Sequence, residues 1–274
     1  MRRKDTEYKS VGGRSMIRTP LSSVIFFVFC LVYGSGFYAL VQSSVVITFL
    51  LTLAFPVLFW PLVQNVNNSG EIKRILLLES GFNLLCFLAV SLYVSIDFID
   101  AGLIAFFTLQ SFGFIAVQLR KRAYISVLIS VCLTLSIALW IVKGVQTSVG
   151  PLAELNLFGV AVPWQLKLIY GAWLMQLLFV EYRHVLPKIA LAVAHIASYT
   201  IAVLADDFFH ARIVTASHLL FLTLCFDIKS MAWGGRDFAI ADGLSRYVKM
   251  PTVHKSLSLT LLVFSVITLG TFFV

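Results

Sequence analysis

The sequence predicts an all-α, polytopic transmembrane bundle of about nine helices, with a cytoplasmic N-terminus and an external C-terminus. Three observations predict it. Hydrophobic residues make up 59% of the 274 and charged residues 12%, where a water-soluble domain carries about 45–50% and about 25%. A mean hydropathy of +0.94 leaves too little polar surface to cover a soluble globule. The apolar residues come in continuous runs near the ~20 needed to cross the hydrocarbon core, without the period-two alternation of a membrane barrel.

Reading for such runs places spans at 21–42, 44–64, 74–96, 100–118, 123–143, 164–181, 187–204, 208–227 and 256–274. The first follows a basic tail, residues 1–20, and exceeds the ~7–15 apolar residues of a signal-peptide core with no small-residue cleavage site after it, so it reads as a retained span. The second contains Pro56 and Pro61. The seventh and eighth are joined by the polar turn "ADDFFHAR", which reads as a wet hairpin tip. Trp60, Trp140 and Trp164 fall near span ends, where amphipathic rings sit at an interface. The longest external segment, "GVQTSVGPLAELNLFGVAVP", is half apolar and broken by Gly150-Pro151 and Pro163; it is expected to lie along the membrane surface or to re-enter. No internal repeat divides the chain, so 1–274 reads as a single integral membrane domain.

The basic residues orient these spans. With the N-terminus cytoplasmic, 18 of the 21 lysines and arginines lie on one side, and only Lys143, Lys167 and Arg212 on the other. Positive-inside bias of this size sets topology and fits a cell (inner) membrane. It also accounts for the net charge of +8 without nucleic acid, since there is no soluble basic domain to bind it. The four cysteines (Cys30, Cys86, Cys132, Cys225) lie singly in apolar runs, with no metal or disulfide spacing.

Ionisable groups inside spans are functional candidates, because lipid penalises them unless they are paired or hydrated. In the third span, "LESGFN" puts Glu79 and Asn83 at i and i+4 on one face, less than two turns from Lys73 and Arg74, hence shallow. That face either closes a pocket for a polar headgroup or a metal-bound diphosphate, or bonds a neighbouring helix. His195 and His218 lie near the middles of spans seven and eight, with Ser198, Tyr199, Thr215 and Ser217 close by. Two histidines are too few for a metal or haem, which leaves a proton relay or interhelical hydrogen bonding. No phosphate-cradling GxxxxGK[ST], HExxH or Ser/His/Asp order stands on a suitable element.

The charged loop after the eighth span, 228–255, reads as cytoplasmic. From Asp237 onward Ile240, Ala241, Leu244, Tyr247 and Val248 share one helical face, with Asp242, Ser245, Arg246 and Lys249 opposite. Asp237 is placed to cap this helix after Gly234-Gly235, and Pro251 ends the pattern. An amphipathic helix with cations on its wet face suits the cytoplasmic interface.

"FDIKSM" (Phe226–Met231) closing an apolar helix, then a charged loop, a basic "VHK" and another apolar span, resembles the second aspartate-rich segment of UbiA-type intramembrane prenyltransferases. Nine helices with a cytoplasmic N-terminus are similar to that family too. The resemblance is partial and its aspartate motifs are degenerate: Ser230 stands where the family has aspartate, and "QNVNNSGEIKR" offers Asn65, Asn67, Asn68 and Glu71 but no aspartate. The family's second segment lies between its sixth and seventh helices, where this chain has "EYRHVLPK". What the resemblance implies is magnesium-dependent transfer of an isoprenyl group to a lipid-soluble acceptor. Asp227 would hold the metal; Lys229, Arg236, Asp237 and Asp242 would grip diphosphate, with Glu71 and Asn67 or Asn68 on the facing loop. The competing reading is a non-enzymatic membrane protein, either a carrier of a small or lipidic solute or an accessory subunit of a membrane complex. The bilayer is the partner common to both.

Overall fold

The structure is a computed structural model that describes residues 28–62 with interruptions, then 69–91, 94–150, 155–182, 189–225 and 250–273. The basic tail 1–20, Asn67, Asn68, and the whole of 226–249 with Asp227, Lys229, Arg236, Asp237, Asp242 and the expected amphipathic helix lie outside the described residues. Of Glu71 only the helical backbone is described.

Among the described residues the chain is all-α apart from one small hairpin. Its helices are α1 (Ser69–Ser91), α2 (Ile96–Arg120), α3 (Tyr124–Lys143), α4 (Trp164–Gln176), α5 (Ile189–Leu204), α6 (Phe208–Cys225) and α7 (Pro251–Gly270). Among the described residues four stretches are long and apolar enough to cross a membrane: Ile72–Ser91 of α1, and the whole of α2, α3 and α7. Before α1, Leu31–Leu40 forms a shorter apolar helix. The expected span 44–64 is not one regular helix. Its described residues break into a π-helical turn Leu50–Ala54, a single α-helical turn Phe55–Leu58 and a 3-10 turn Trp60–Leu62. Pro56 and Pro61 explain the break, since each lacks the amide donor and its ring crowds the preceding turn. Pro251 opens α7 at its first position, where a missing N–H costs nothing, so that helix starts five residues before the expected 256.

Consecutive helices pack in pairs from α1 through to α6, α6 returns against α1, and α7 lies across α3 and α4. Every residue from Phe208 to Phe221 is buried, which makes α6 the axis of the bundle. Its first turn inserts Phe209 among Phe107, Trp140 and Tyr170, at ring centroids 4.8, 5.2 and 6.1 Å apart. Large apolar side chains instead point outward along the long helices, among them Leu77, Phe98, Phe112, Val142 and Ile267.

The segment after α3 folds back on the helix ends. Strands β1 (Ser148–Val149) and β2 (Leu155–Asn156) pair antiparallel, Ser148 with Asn156 and Val149 with Leu155. Two acids at the start of α2 hold it. Asp97 Oδ1 accepts from Gln146 Nε2 at 2.7 Å, and Asp100 Oδ2 accepts the Thr147 amide at 3.1 Å. Phe158 and Gly159 then take positive φ of 55° and 60°, which drives the Phe158 ring against Trp140. At Gly159 a Cβ would meet Val145 Cγ2 at 2.5 Å and the Gln146 carbonyl oxygen at 2.8 Å, so both conformation and space require glycine. Trp140, expected at an interface, is 1% exposed: the returning segment covers its ring and Val160 O accepts its Nε1–H at 3.0 Å. Trp60 and Trp164 are exposed.

Candidate functional site

The polar groups that the sequence scatters over three spans converge inside the bundle, between α1, α4, α5 and α6. α1 contributes Glu79 and Asn83, one turn apart and both buried. α1 begins at Ser69, five residues before the expected 74, so Glu79 sits near its middle. α6 contributes Arg212, Thr215, Ser217 and His218, α5 contributes His195 and Ser198, and all six are buried.

Arg212 corrects the hairpin-tip reading. The helix starts at Phe208, so only 205–207 form the turn, and Arg212 lies a full turn inside α6 at 3% exposure. Its Nη1 donates to Ser198 Oγ at 2.9 Å, and its guanidinium carbon lies 5.9 Å from the Tyr170 ring centre. The Ser198 and Thr215 hydroxyls bond each other across α5 and α6, which is the interhelical hydrogen bonding expected of these two helices. The histidines are not part of that bond. His218 Nδ1 meets the Tyr33 hydroxyl at 2.8 Å, while His195 Nε2 has no hydrogen-bond partner.

Around this cluster the fold is tied closely. Asn83 Nδ2 donates to Ser217 Oγ at 3.4 Å, and Ser217 in turn donates to Ile213 O at 2.7 Å. At the end of the hairpin Asp207 accepts from the Tyr38 hydroxyl and meets His210 Nδ1 at 3.0 Å. Gly171 lets α4 and α5 approach: a Cβ there would sit 2.5 Å from Tyr199 Oη, whose hydroxyl donates to Lys167 O at 2.8 Å. Small residues at such crossings are how membrane helices come close.

Four polar atoms at the centre are left over. Glu79 Oε2, Asn83 Oδ1, His195 Nε2 and Arg212 Nε are buried without a hydrogen-bond partner. The Arg212 charge acts on both Glu79 and His195, yet among the described residues neither Glu79 nor Arg212 has a direct ionic partner. The two residues share one interior without forming an ion pair. Buried polar atoms are normally bonded, so this is the most conspicuous exception in the bundle.

A second network, which sequence reading missed, joins α2, α3 and α4. Ser130 Oγ donates to Gln118 Oε1 at 2.7 Å, Gln118 Nε2 to Glu181 Oε1 at 2.9 Å, Trp173 Nε1 to Ser130 Oγ at 3.1 Å, and Gln176 Nε2 to Ser126 Oγ at 2.8 Å. Glu181 ends a π-helical turn, Leu177–Glu181. The signal was present in the sequence, since Gln118 and Gln176 are amides within apolar spans. Between the two networks Phe107, Phe114, Trp173 and Ile213, with Gln110 and Ser130, line a cleft of about 30 Å³, room for roughly two or three waters. Among the described residues no group of three or more His, Cys, Asp or Glu converges to hold a metal ion. No known protein family, curated protein or solved structure matches the chain.

Proposed function

We propose that the chain is a multi-pass protein of the cell (inner) membrane, with nine spans, a cytoplasmic N-terminus and an external C-terminus. It takes the polar end of a membrane-borne ligand between its helices, in the manner of a carrier or accessory subunit. The charge segregation, four long apolar helices and outward-facing apolar side chains support the membrane placement. One observation carries the binding role: Arg212 and Glu79 are buried in the same interior with hydrogen-bonding capacity unused. A lone arginine at the centre of a spanning helix costs about 2.5–3.5 kcal/mol on insertion scales, a cost that a bound counter-group offsets. The test is mass spectrometry of the chain purified in mild detergent beside Arg212→Met. The wild type is expected to retain a polar molecule in near-stoichiometric amount, and the variant to lose it while keeping its helical circular dichroism. The same molecules in equal yield from both would overturn the reading.

A second reading is magnesium-dependent isoprenyl transfer of the UbiA type. It is favoured by Asp227 in "FDIK", two residues after Cys225, the last described residue of α6, since the resembled family's aspartate-rich segments close a helix. Asp227→Asn is then expected to abolish magnesium-dependent binding of geranylgeranyl diphosphate by the purified chain. Binding and turnover that are indifferent to Asp227 would end this reading.

A further inference from the structure

We propose that the buried polar cluster on α1, α5 and α6 is a site for a small zwitterionic group, its anionic end held by Arg212 and its ammonium end by Glu79 and Asn83. The inference rests on the reading that the interior binds a ligand, and it names that ligand's chemistry.

The donors come first. A guanidinium offers five N–H bonds, and Arg212 uses one on Ser198 Oγ. Its carbon lies 5.9 Å from the Tyr170 ring centre, and the Tyr170 hydroxyl is a further hydrogen-bonding neighbour of the guanidinium. Nε is buried without a partner. That leaves the Nε–H donor for an oxygen of a carboxylate or phosphate, a charge-assisted contact. On α1 the demand is the opposite. Glu79 Oε2 and Asn83 Oδ1 are both buried acceptors without a donor, and their i, i+4 spacing puts them on one face. An ammonium group carries three donors and can serve both. His195 Nε2, also unpartnered, supplies a further polar contact to the anionic or the cationic end according to its tautomer.

Charge balance decides between ligand classes. A direct Arg212–Glu79 contact would satisfy both residues without any ligand, but no such ion pair forms. An anion alone would pair Arg212 and leave the acceptors Glu79 Oε2 and Asn83 Oδ1 without a donor. A cation alone would leave Arg212 exposed in the same way. Uncompensated charge in a low-dielectric interior is heavily penalised. A ligand bearing both signs pairs each residue and adds no net charge. The same chemistry comes from two sources, the phosphoethanolamine headgroup of a membrane lipid or a free zwitterion such as an amino acid.

The experiment uses the full chain in lipid nanodiscs, with unfolding followed by tryptophan fluorescence. Discs of phosphatidylglycerol alone are compared with discs containing phosphatidylethanolamine. In a parallel arm, phosphatidylglycerol discs receive ethanolamine phosphate, glycine or glycerol phosphate; the first and last share the phosphate but only ethanolamine phosphate carries the ammonium. Saturating zwitterion is expected to raise the melting temperature by about 5 °C, with glycerol phosphate giving no rise. A rise with the lipid identifies the headgroup source, and a rise with a soluble probe identifies the free source. Glu79→Gln and Arg212→Gln are each expected to erase the difference. Should either variant fail to fold, native mass spectrometry of the wild type in equimolar ethanolamine phosphate and glycerol phosphate gives the same answer, with about tenfold preference for the former expected. Equal response to ethanolamine and glycerol forms, with no response to glycine, overturns the zwitterion. If a singly charged molecule is then found on the purified chain, interior binding stands and only its chemistry is wrong. If nothing is bound, both readings fall.

Discussion

Glu79→Met is expected to destabilise the folded bundle by about 3 kcal/mol, more than Arg212→Met at the same site. Glu79 and Arg212 are buried in one interior without direct ionic contact. Removing one takes away the other's opposite-sign neighbour, an effect bounded by the ~3–5 kcal/mol lost when a contacting buried pair is broken. The two losses are unequal because a stranded carboxyl can shed its charge by taking a proton, whereas a guanidinium cannot. Arg212 is 3% exposed and Glu79 6%, so neither has water to turn to. The double variant Glu79→Met/Arg212→Met replaces both charges with side chains of suitable length and apolar character, and it is expected to recover most of the lost stability. Equilibrium unfolding in mixed micelles measures all four proteins of the cycle. Simple additivity of the two single changes would mean that the residues do not sense each other. Recovery in the double variant would also mean that the pair is dispensable to the fold, as expected of groups whose role is binding.

Trp140→Ala is expected to cost about 3–5 kcal/mol and to release the segment between α3 and α4. The Trp140 ring packs edge-on against Phe107 and Phe158, at 6.0 and 5.2 Å, and lies 5.2 Å from Phe209. Truncation therefore opens a cavity where α2, α3, α6 and the returning segment meet. It also leaves Val160 O without the indole donor. Trp140→Phe separates the two effects: it retains much of the ring packing and loses the hydrogen bond, a change of about 1–1.5 kcal/mol. Limited proteolysis of the 144–163 segment in detergent is expected to be fast in Trp140→Ala and near wild type in Trp140→Phe. Equally fast cleavage of the two would show that the hydrogen bond, and not the packed ring, holds the segment down.

Helix positions were the most legible part of this chain, because apolar runs are a local property. The expected spans 100–118 and 123–143 lie within a few residues of α2 and α3, and 187–204 and 208–227 coincide closely with α5 and α6. The interruption of 44–64 was legible in Pro56 and Pro61, whose effect is local too, although a running count of apolar residues passes over it. The failures have a different origin. Trp140 stands at a helix end in both descriptions, but whether a tryptophan there faces lipid headgroups or protein depends on a segment about twenty residues further on in the sequence. Arg212 was assigned to water on the strength of its neighbours Asp206 and Asp207, when the start of α6 at Phe208 carries it inside.

The sequence by itself determined that this is an all-α chain with helices suited to lipid, since hydropathy and charge are summed along the chain without reference to what folds against what. It also marked Glu79, Asn83, His195 and His218 as polar groups in apolar company. That Arg212 joins them, that Ser198 and Tyr170 hold its guanidinium, and that Glu79 shares its interior without an ion pair were decided only by the tertiary structure. Those relations link residues up to 133 positions apart, from Glu79 to Arg212, and exist only once α6 is enclosed by the helices around it. A charge pattern read along one helix gives the cost of burial. The partner that offsets the cost is supplied by another helix.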